Sequence, residues 1–319
     1  MAQFFAYVQH ADGVIEDTAG ELVAAAKAMG ADSVTAIVTG SGIDAAASAA
    51  GEFFNEVYKV DNDALAYPNA EVVRKAVAAI VPADAVILMS HTTFAMDLAP
   101  GLSIVTDSAF LADVTGIDGV DGSTLKVVRT ELGGSISAHV NADIANGAVI
   151  TLRPGSVEAA AGGVGGAVVD KSADAGDLSA KRKFLEVVAL EAGEVDITTA
   201  EVLVSVGRGI EDEDNIELAM ELKEAIGSKA EVACSRPIVD AKWLEHSRQV
   251  GTSGLSVKPN VYLALGISGS FQHLGGIKGG VLIAVNKNPN APIFQVADYG
   301  IEADILDFIP ALTEKIKDL

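Results

Sequence analysis

The stretch that decides the fold is residues 234–304, which read CSRPIVDAKWLEHSRQVGTSGLSVKPNVYLALGISGSFQHLGGIKGGVLIAVNKNPNAPIFQVADYGIEAD. Short apolar runs alternate there with Gly, Ser, Thr, Gln, Arg, His, Asn and Asp. A packed core alone does not need these polar residues, whereas the wall of a site for a large polar cofactor does. The pattern therefore favours a domain built around a bound polar molecule.

The C-terminal part of the chain, residues 198–319, is predicted to be a doubly wound α/β domain. Strands separated by helices form parallel sheets, and such sheets bind ligands beyond the carboxyl ends of their strands. The polar clusters follow predicted strands, so they fall where a ligand would bind. The predicted strands are 200–206, 231–234, 260–265, 281–286 and 293–296, and the predicted helices are 212–226 and 302–317.

The first strand of this domain runs into Gly207-Arg208-Gly209. A strand, a Gly-x-Gly and a helix can bring backbone N–H groups close to a phosphate. The motif lacks the third glycine of a dinucleotide fingerprint, and the acidic run at 211–214 would repel a phosphate. A tight turn explains the motif equally well, and Arg208 is the local charge that could neutralise a phosphate.

The preceding part, residues 1–197, is predicted to be an N-terminal α/β domain with a mostly parallel sheet. Beyond residue 110 the strand-like runs are closely spaced, which favours antiparallel or mixed pairing. Residues 155–180 lack a regular spacing of apolar residues and are predicted to form a long loop. Residues 191–198 are predicted to be the linker between the two domains. The predicted strands are 3–8, 33–38, 56–60, 85–89, 110–114, 125–130, 135–140, 148–153 and 183–190, and the predicted helices are 21–29 and 69–80.

The composition limits the classes of function. At about 150 residues per domain, 319 residues predict two domains. The 22 basic and 44 acidic side chains give a net charge of −22, which disfavours nucleic-acid binding. A single cysteine excludes an intrachain disulfide or a thiolate metal cluster, and the five scattered histidines argue against a metal site.

The N-terminal residues, MAQFFAYV, lack the basic start and long apolar core of a signal or transit peptide. No apolar run reaches the roughly 18 residues that a membrane helix needs. We therefore expect a cytoplasmic protein of a bacterium or an archaeon, without membrane insertion.

The polar residues of the decisive stretch allow both a structural and a functional interpretation. Arg236 is a surface arginine or a fixed charge for an anionic ring or phosphate. His273 is a packed histidine or an oriented hydrogen-bond donor. Asn286 and Asp304 are a turn former and a helix-start acid, or partners for a base and a ribose.

The same stretch contains no obvious catalytic pair. Residues 249–254 place two glycines and two hydroxyls in a tight loop, as a simple hairpin also would. Ser268 lacks the Gly-x-Ser-x-Gly elbow of a nucleophile. A nucleotide-type cofactor would therefore carry the chemistry, with the protein supplying orientation and electrostatics.

These residues resemble the alpha subunit of electron-transfer flavoproteins. The resemblance is specific from residue 206 to the C-terminus and looser before it, where Thr92-Thr93-Phe94 and Asp97 are similar to the family's first domain. The motifs that carry it are Ser235-Arg236, Gln249-Val250-Gly251, Gly266-Ile267-Ser268-Gly269, Gln272-His273, Asn286-Lys287 and PIFQVADYG at 292–300.

The resemblance implies an electron carrier rather than a stand-alone enzyme. One FAD would be held by residues 198–319, and residues 1–197 would pack on a beta subunit to form a heterodimer. Electrons would typically come from acyl-CoA dehydrogenases and pass to a quinone oxidoreductase. The beta subunit would hold AMP, or a second FAD in relatives that bifurcate electrons from NADH. A paralogue that has lost its flavin is a third alternative.

The resemblance also implies roles for single residues. Arg236 would lie against the flavin ring, the Ser253 hydroxyl would hydrogen-bond the N5 region, and His273 would lie near O2. Thr252-Ser253 stands where many relatives have Gln-Thr, and serine is freer about χ1 than threonine. The other implied cofactor contacts are Arg208, Ser235, Gln249, Val250, Gly251, Thr252, Ser268, Gly269, Ser270, Phe271 and Gln272, with Asn286 and Asp304 at the adenosine.

Overall fold

The computed structural model describes residues 3–11, 13–132, 136–186 and 195–318. The chain forms two compact units, Met1–Glu186 and Val187–Leu319. The boundary at 197/198 stays a prediction, because residues 187–194 lie outside the described part. Across the described residues, no helix is both long and apolar enough to cross a membrane.

The N-terminal unit is built on a large, mostly parallel sheet. Its helices are α1 (Ala19–Ala28), α2 (Asp44–Gly51), α3 (Ala70–Ile80) and α4 (Thr93–Val105). Its strands are β1 (Phe4–Tyr7), β2 (His10–Ala11), β3 (Val14–Ile15), β4 (Val34–Gly40), β5 (Glu56–Asp61), β6 (Val86–Ser90), β7 (Ala109–Asp121), β8 (Thr124–Glu131), β9 (Ile136–Asp143), β10 (Ala148–Leu152) and β11 (Ala167–Asp170).

The sheet order is β11-β5-β4-β1-β6-β10-β7-β8-β9, with β2 and β3 in a separate pair. Strands β6 and β10 are buried along their whole length because helices and loops cover both faces of the sheet. One apolar cluster packs α1 and α2 against one face, and a second packs α3 and α4 against the other. Two covered faces explain why the central strands are continuous apolar runs.

Most predicted elements of this unit are present. The predicted antiparallel or mixed pairing beyond residue 110 is confirmed as mixed, because β7, β8 and β9 pair antiparallel whereas β10 pairs parallel between β6 and β7. Two features differ from the prediction. The predicted loop at 155–180 contains β11, a short exposed strand that pairs parallel with β5 and shows no burial period. Helices α2 and α4 were not predicted.

Three other predictions include residues outside the described part of the chain. Residues 183–186 belong to no strand, and the rest of the predicted strand 183–190 lies outside the described residues. The same holds for residue 135 of the strand at 135–140 and for residues 191–194 of the linker.

The C-terminal unit is a five-stranded sheet in the order β13-β12-β14-β15-β16, as far as the described residues extend. All its pairs are parallel, which confirms the doubly wound prediction. Its strands are β12 (Val202–Val206), β13 (Ala230–Cys234), β14 (Val261–Leu265), β15 (Val281–Asn286) and β16 (Tyr299–Glu302). Its helices are α5 (Ile216–Ile226), α6 (Arg236–Asp240), α7 (Phe271–Leu274) and α8 (Ile305–Lys317).

The predicted strand at 293–296 is wrong. Residues Pro292–Gln295 form a 3-10 helix, and the edge strand is β16. The backbone N–H of Ile293 donates to the Ser268 carbonyl at 3.0 Å, and the Ile293 side chain is buried. The apolar residues are therefore buried by packing a turn against the loop after β14, and not by strand pairing.

Candidate cofactor site

The carboxyl ends of the five parallel strands form one edge of the C-terminal sheet. Each strand is followed by a residue predicted to bind the cofactor: Arg208 after β12, Arg236 after β13, Ser268 after β14, Asn286 at the end of β15 and Asp304 after β16. Residues that are up to 96 positions apart along the chain thus come to the same edge. Ligands of open parallel sheets bind at this edge.

The Gly-x-Gly motif after β12 packs against the loop after β14. A Cβ on Gly207 would lie 2.5 Å from the Gly266 carbonyl oxygen, and a Cβ on Gly209 would lie 2.7 Å from the Gly266 Cα. Gly266 itself has φ +65°. These contacts support the tight-turn interpretation of the motif, and they leave the Arg208 side chain exposed at the edge.

Helix α6 places a positive charge at the edge beside β13. Ser235 is buried and its N–H donates to the Val206 carbonyl at 3.0 Å, which fixes the start of the helix. Arg236 begins the helix, and 68% of its side chain is exposed. Its Nε lies 3.4 Å from a carboxylate oxygen of Asp240, a pair one helical turn apart. Most of the guanidinium is therefore available to a ligand.

The loop after the 3-10 helix His246–Arg248 lies beside the end of β13. The Val250 N–H donates to the Cys234 carbonyl at 2.9 Å, and the Thr252 N–H donates to the Gln272 carbonyl at 2.7 Å. The loop is thereby held between β13 and α7. It presents Ser253, whose side chain is exposed.

The loop from Ser268 to Gln272 is shaped by Gly269. This glycine has φ +81°, and a Cβ on it would lie 2.4 Å from the Ile293 nitrogen. No other residue fits there without displacing the Pro292–Gln295 turn. Ser268, Ser270 and Gln272 are exposed around it.

His273 is only 5% exposed, and it is one of the predicted site residues that are buried, together with Ser235, Gln249 and Val250. Its Nε2 lies 2.9 Å from the Tyr262 hydroxyl, which donates to Ser205 Oγ at 2.7 Å. Burial lowers the pKa of His273 to about 4, while the Val250 backbone acts in the opposite direction. Within the described part of the chain, Nδ1 meets no partner at hydrogen-bond geometry. The imidazole is therefore neutral.

Sequence reasoning missed Ser205 and Tyr262. Both lie inside apolar strand runs, and each alone is an unremarkable strand residue. Tyr262 pairs with Leu203, so Ser205 lies two residues further along the same face of the neighbouring strand. Polar groups on the same face of two buried neighbouring strands, two residues apart in register, are the signal that could have found them.

Asn286 and Asp304 hold local structure at the other end of the edge. Asn286 Nδ2 donates to the Ile267 carbonyl at 3.0 Å, and Asp304 caps α8 by accepting from the Leu306 N–H at 3.0 Å. Between them Lys287 forms an ion pair with Glu211, and this contact raises the pKa of Lys287. Both structural interpretations of Asn286 and Asp304 are thus supported.

Residues in both units match models of known protein families. A family described as the electron transfer flavoprotein domain matches residues 5–192, and one described as the electron transfer flavoprotein FAD-binding domain matches residues 196–278. The second match covers most of the edge described above.

Proteins named electron transfer flavoprotein subunit alpha or FixB are similar to this chain over most of their length. The electron transfer flavoprotein subunit alpha of Thermoanaerobacterium thermosaccharolyticum is 36% identical over 268 residues, 82% of this chain and 81% of that protein. The subunit alpha of Pseudomonas aeruginosa is 33% identical over 311 residues, 97% and 98% of the two chains. Protein FixB of Clostridium saccharobutylicum is 31% identical over 291 residues, 90% and 86% of the two chains. The chain therefore belongs to the electron transfer flavoprotein family, as an alpha subunit.

Proposed function

We propose that this chain carries one FAD on the carboxyl edge of its C-terminal sheet and passes electrons between redox proteins. The observation that carries this proposal is the convergence of predicted site residues from all five strand ends at that edge. When bound, FAD supplies the redox chemistry. The chain's own residues bind it, orient it and set the charge around it.

The residues at the edge fit a flavin nucleotide. The guanidinium groups of Arg208 and Arg236 are exposed there, in a chain whose net charge is −22. The exposed hydroxyls of Ser253, Ser268 and Ser270 offer donors for ring and phosphate oxygens. These two guanidinium groups are the positive charges offered to an anionic ligand, and they lie close in sequence to the acidic residues 211–214 and Asp240.

Three residues would tune the flavin. Arg236 would lie against the ring and favour its more negative, reduced forms, and the Ser253 hydroxyl would donate to the N5 region. His273 would lie near O2, with burial keeping its imidazole neutral and Tyr262 holding it in place. The remaining contacts would come from the residues named for the loops after β12, β13 and β14, with Asn286 and Asp304 at the adenosine.

The unit Met1–Glu186 would pack on a beta subunit in a heterodimer. Electrons would enter from dehydrogenases, typically acyl-CoA dehydrogenases, and leave to a quinone oxidoreductase or another acceptor. The beta subunit would contain AMP. The family and the relatives named subunit alpha support the heterodimer, and the donors and acceptors are part of the proposal.

The test is the visible absorption spectrum and nucleotide content of the purified heterodimer. We expect one FAD and one AMP for each alpha–beta pair. Two FAD and no AMP would instead identify the bifurcating, NADH-linked variety. A heterodimer that contains no flavin, even after FAD is added, would contradict the proposal and identify a flavin-less paralogue.

A further inference from the structure

The side chain of Gln249 contacts the hydroxyl of Ser253 from inside the protein. Gln249 is only 3% exposed, whereas Ser253, four residues later, is exposed. Gln249 Nε2 donates to Ser253 Oγ at 3.0 Å. A buried amide thus determines the position of a hydroxyl at the surface of the site.

The backbone around Gln249 fixes where this amide can be. Its N–H donates to the His246 carbonyl at 3.0 Å, and its carbonyl accepts from the Leu255 N–H at 2.7 Å. A Cβ on Gly254 would lie 2.3 Å from the same carbonyl oxygen, so the loop closes tightly on Gln249. On the far side, His246 Nε2 donates to the Ser253 carbonyl at 3.1 Å. Both ends of the contact are therefore held.

The direction of the hydrogen bond decides what Ser253 can do. A hydroxyl has one proton and two lone pairs. Because the Gln249 amide donates to one lone pair, the Ser253 proton remains free to point away from the amide. Serine also lacks the methyl group that restricts χ1 in threonine, so the amide supplies an orientation that the side chain does not impose by itself.

We propose that Gln249 is a positioning residue, which holds the Ser253 hydroxyl as a hydrogen-bond donor toward the flavin N5 region. This inference rests on the proposed function, and it gives Gln249 a role through Ser253 instead of a direct contact with the cofactor. A donor at an atom that gains electron density on reduction favours the reduced flavin. Loss of the orientation should therefore lower the reduction potential.

The test is a reductive titration of the FAD-containing heterodimer, with Gln249→Met as the first variant. Methionine keeps the length of the side chain and removes the donor. We expect the equilibrium constant for flavin reduction to fall about tenfold, which corresponds to a reduction potential about 59 mV lower for a one-electron couple. Adding Ser253→Thr to Gln249→Met should recover most of this shift, because the branched side chain restricts χ1 without the amide.

A double-mutant cycle with Ser253→Ala separates positioning from general effects. If the proposal is correct, Gln249→Met has little further effect once the hydroxyl is gone. Equal shifts with and without the hydroxyl, or no shift at all, would overturn it. If Gln249→Met does not fold, Gln249→Glu keeps the shape, and its carboxylate accepts the Ser253 proton. Comparing Gln249→Glu with and without Ser253→Ala subtracts the effect of the charge that the glutamate adds.

This result is distinguishable from failure of the proposed function. If the wild-type heterodimer binds no FAD, the proposed function fails before any variant is made. If FAD is bound and only the coupling between positions 249 and 253 is absent, the positioning role alone fails. Chemical unfolding of the FAD-free variants measures any purely structural role of Gln249 separately.

Discussion

The Tyr262 hydroxyl lies 2.9 Å from His273 Nε2, and it joins the middle of β14 to the short helix α7. The same hydroxyl donates its only proton to Ser205 Oγ. The imidazole must therefore donate through Nε2, which defines its tautomer. All three side chains are buried. Their hydrogen bonds connect strand β12, strand β14 and helix α7, which begins within the loop that would meet the flavin.

Removal of this hydroxyl should destabilise the C-terminal unit. Tyr262→Phe leaves the buried polar groups of Ser205 and His273 without their shared partner, and we expect a loss of about 1–3 kcal/mol in the free energy of unfolding. Urea denaturation of the heterodimer measures it. Tyr299→Phe is the matched control, because Tyr299 is 64% exposed and its loss should stay within about 0.5 kcal/mol. Equal effects of the two variants would rule out the network as a stabilising feature.

The stability of the N-terminal unit should depend on the ionisation of Glu16. Burial raises the pKa of this carboxyl to about 7, against the effect of the Gln9 N–H that donates to it. The folded state therefore binds the proton more tightly than the unfolded chain, whose carboxyl has a pKa of about 4.5. This stabilisation is complete below the unfolded pKa and is lost as the pH rises through 7.

Glu16→Gln should remove this pH dependence. We expect the variant to gain about 1–3 kcal/mol relative to wild type between pH 4.5 and pH 8. Urea unfolding at a series of pH values measures the difference. Glu158→Gln, at an exposed carboxyl of the same unit, is the control and should follow the wild-type curve. Parallel curves for wild type and Glu16→Gln would show that the Glu16 carboxyl is not responsible.

The charge of Arg236 should raise the reduction potential of the bound flavin, since a cation stabilises the more negative, reduced form. We expect Arg236→Ala to lower the potential by about 59 mV for a one-electron couple, a tenfold change in equilibrium. Arg236→Lys keeps the charge and should cause a smaller shift. The measurement is a spectroelectrochemical titration, and identical potentials for wild type and Arg236→Ala would exclude this role.

The close packing of Gly209 on Gly266 should be intolerant of a side chain. A Cβ at position 209 would lie 2.7 Å from the Gly266 Cα, which is backbone and cannot move aside alone. We expect Gly209→Ala to destabilise the protein by about 1–3 kcal/mol in thermal or urea unfolding. Gly162→Ala is the control, because its nearest neighbour would lie at 3.4 Å. A neutral Gly209→Ala would mean that the two loops can separate.

The sequence by itself was sufficient to predict the main strands and their parallel arrangement. Runs such as 202–206 and 261–265 are buried on both faces, so each is apolar apart from Ser205 and the Tyr262 hydroxyl, and each is followed by a glycine. Alternation of these runs with helices implies crossovers, and parallel crossovers bring the strand ends to one edge. The positions of Arg236 and Ser268 at that edge followed from this local pattern alone.

Only the tertiary structure located the two short edge strands and explained the apolar turn Pro292–Gln295. Strand β11 and strand β16 lie at sheet edges and are largely exposed, so neither shows the burial pattern that identifies a strand. The turn Pro292–Gln295 is apolar because it packs on the loop after β14, which lies more than 20 residues earlier in the chain.

The hydrogen bonds of the site likewise depend on residues that meet only after folding. Tyr262 reaches Ser205 across 57 residues of chain, and the direction of each hydrogen bond depends on which proton its neighbour has already used. The amide of Gln249 is near Ser253 in the sequence, yet its burial, and hence its ability to orient a hydroxyl, comes from the loop closing on it. Residue types and spacing determined where the polar groups would gather, and three-dimensional packing determined which of them face inward and which remain free for a ligand.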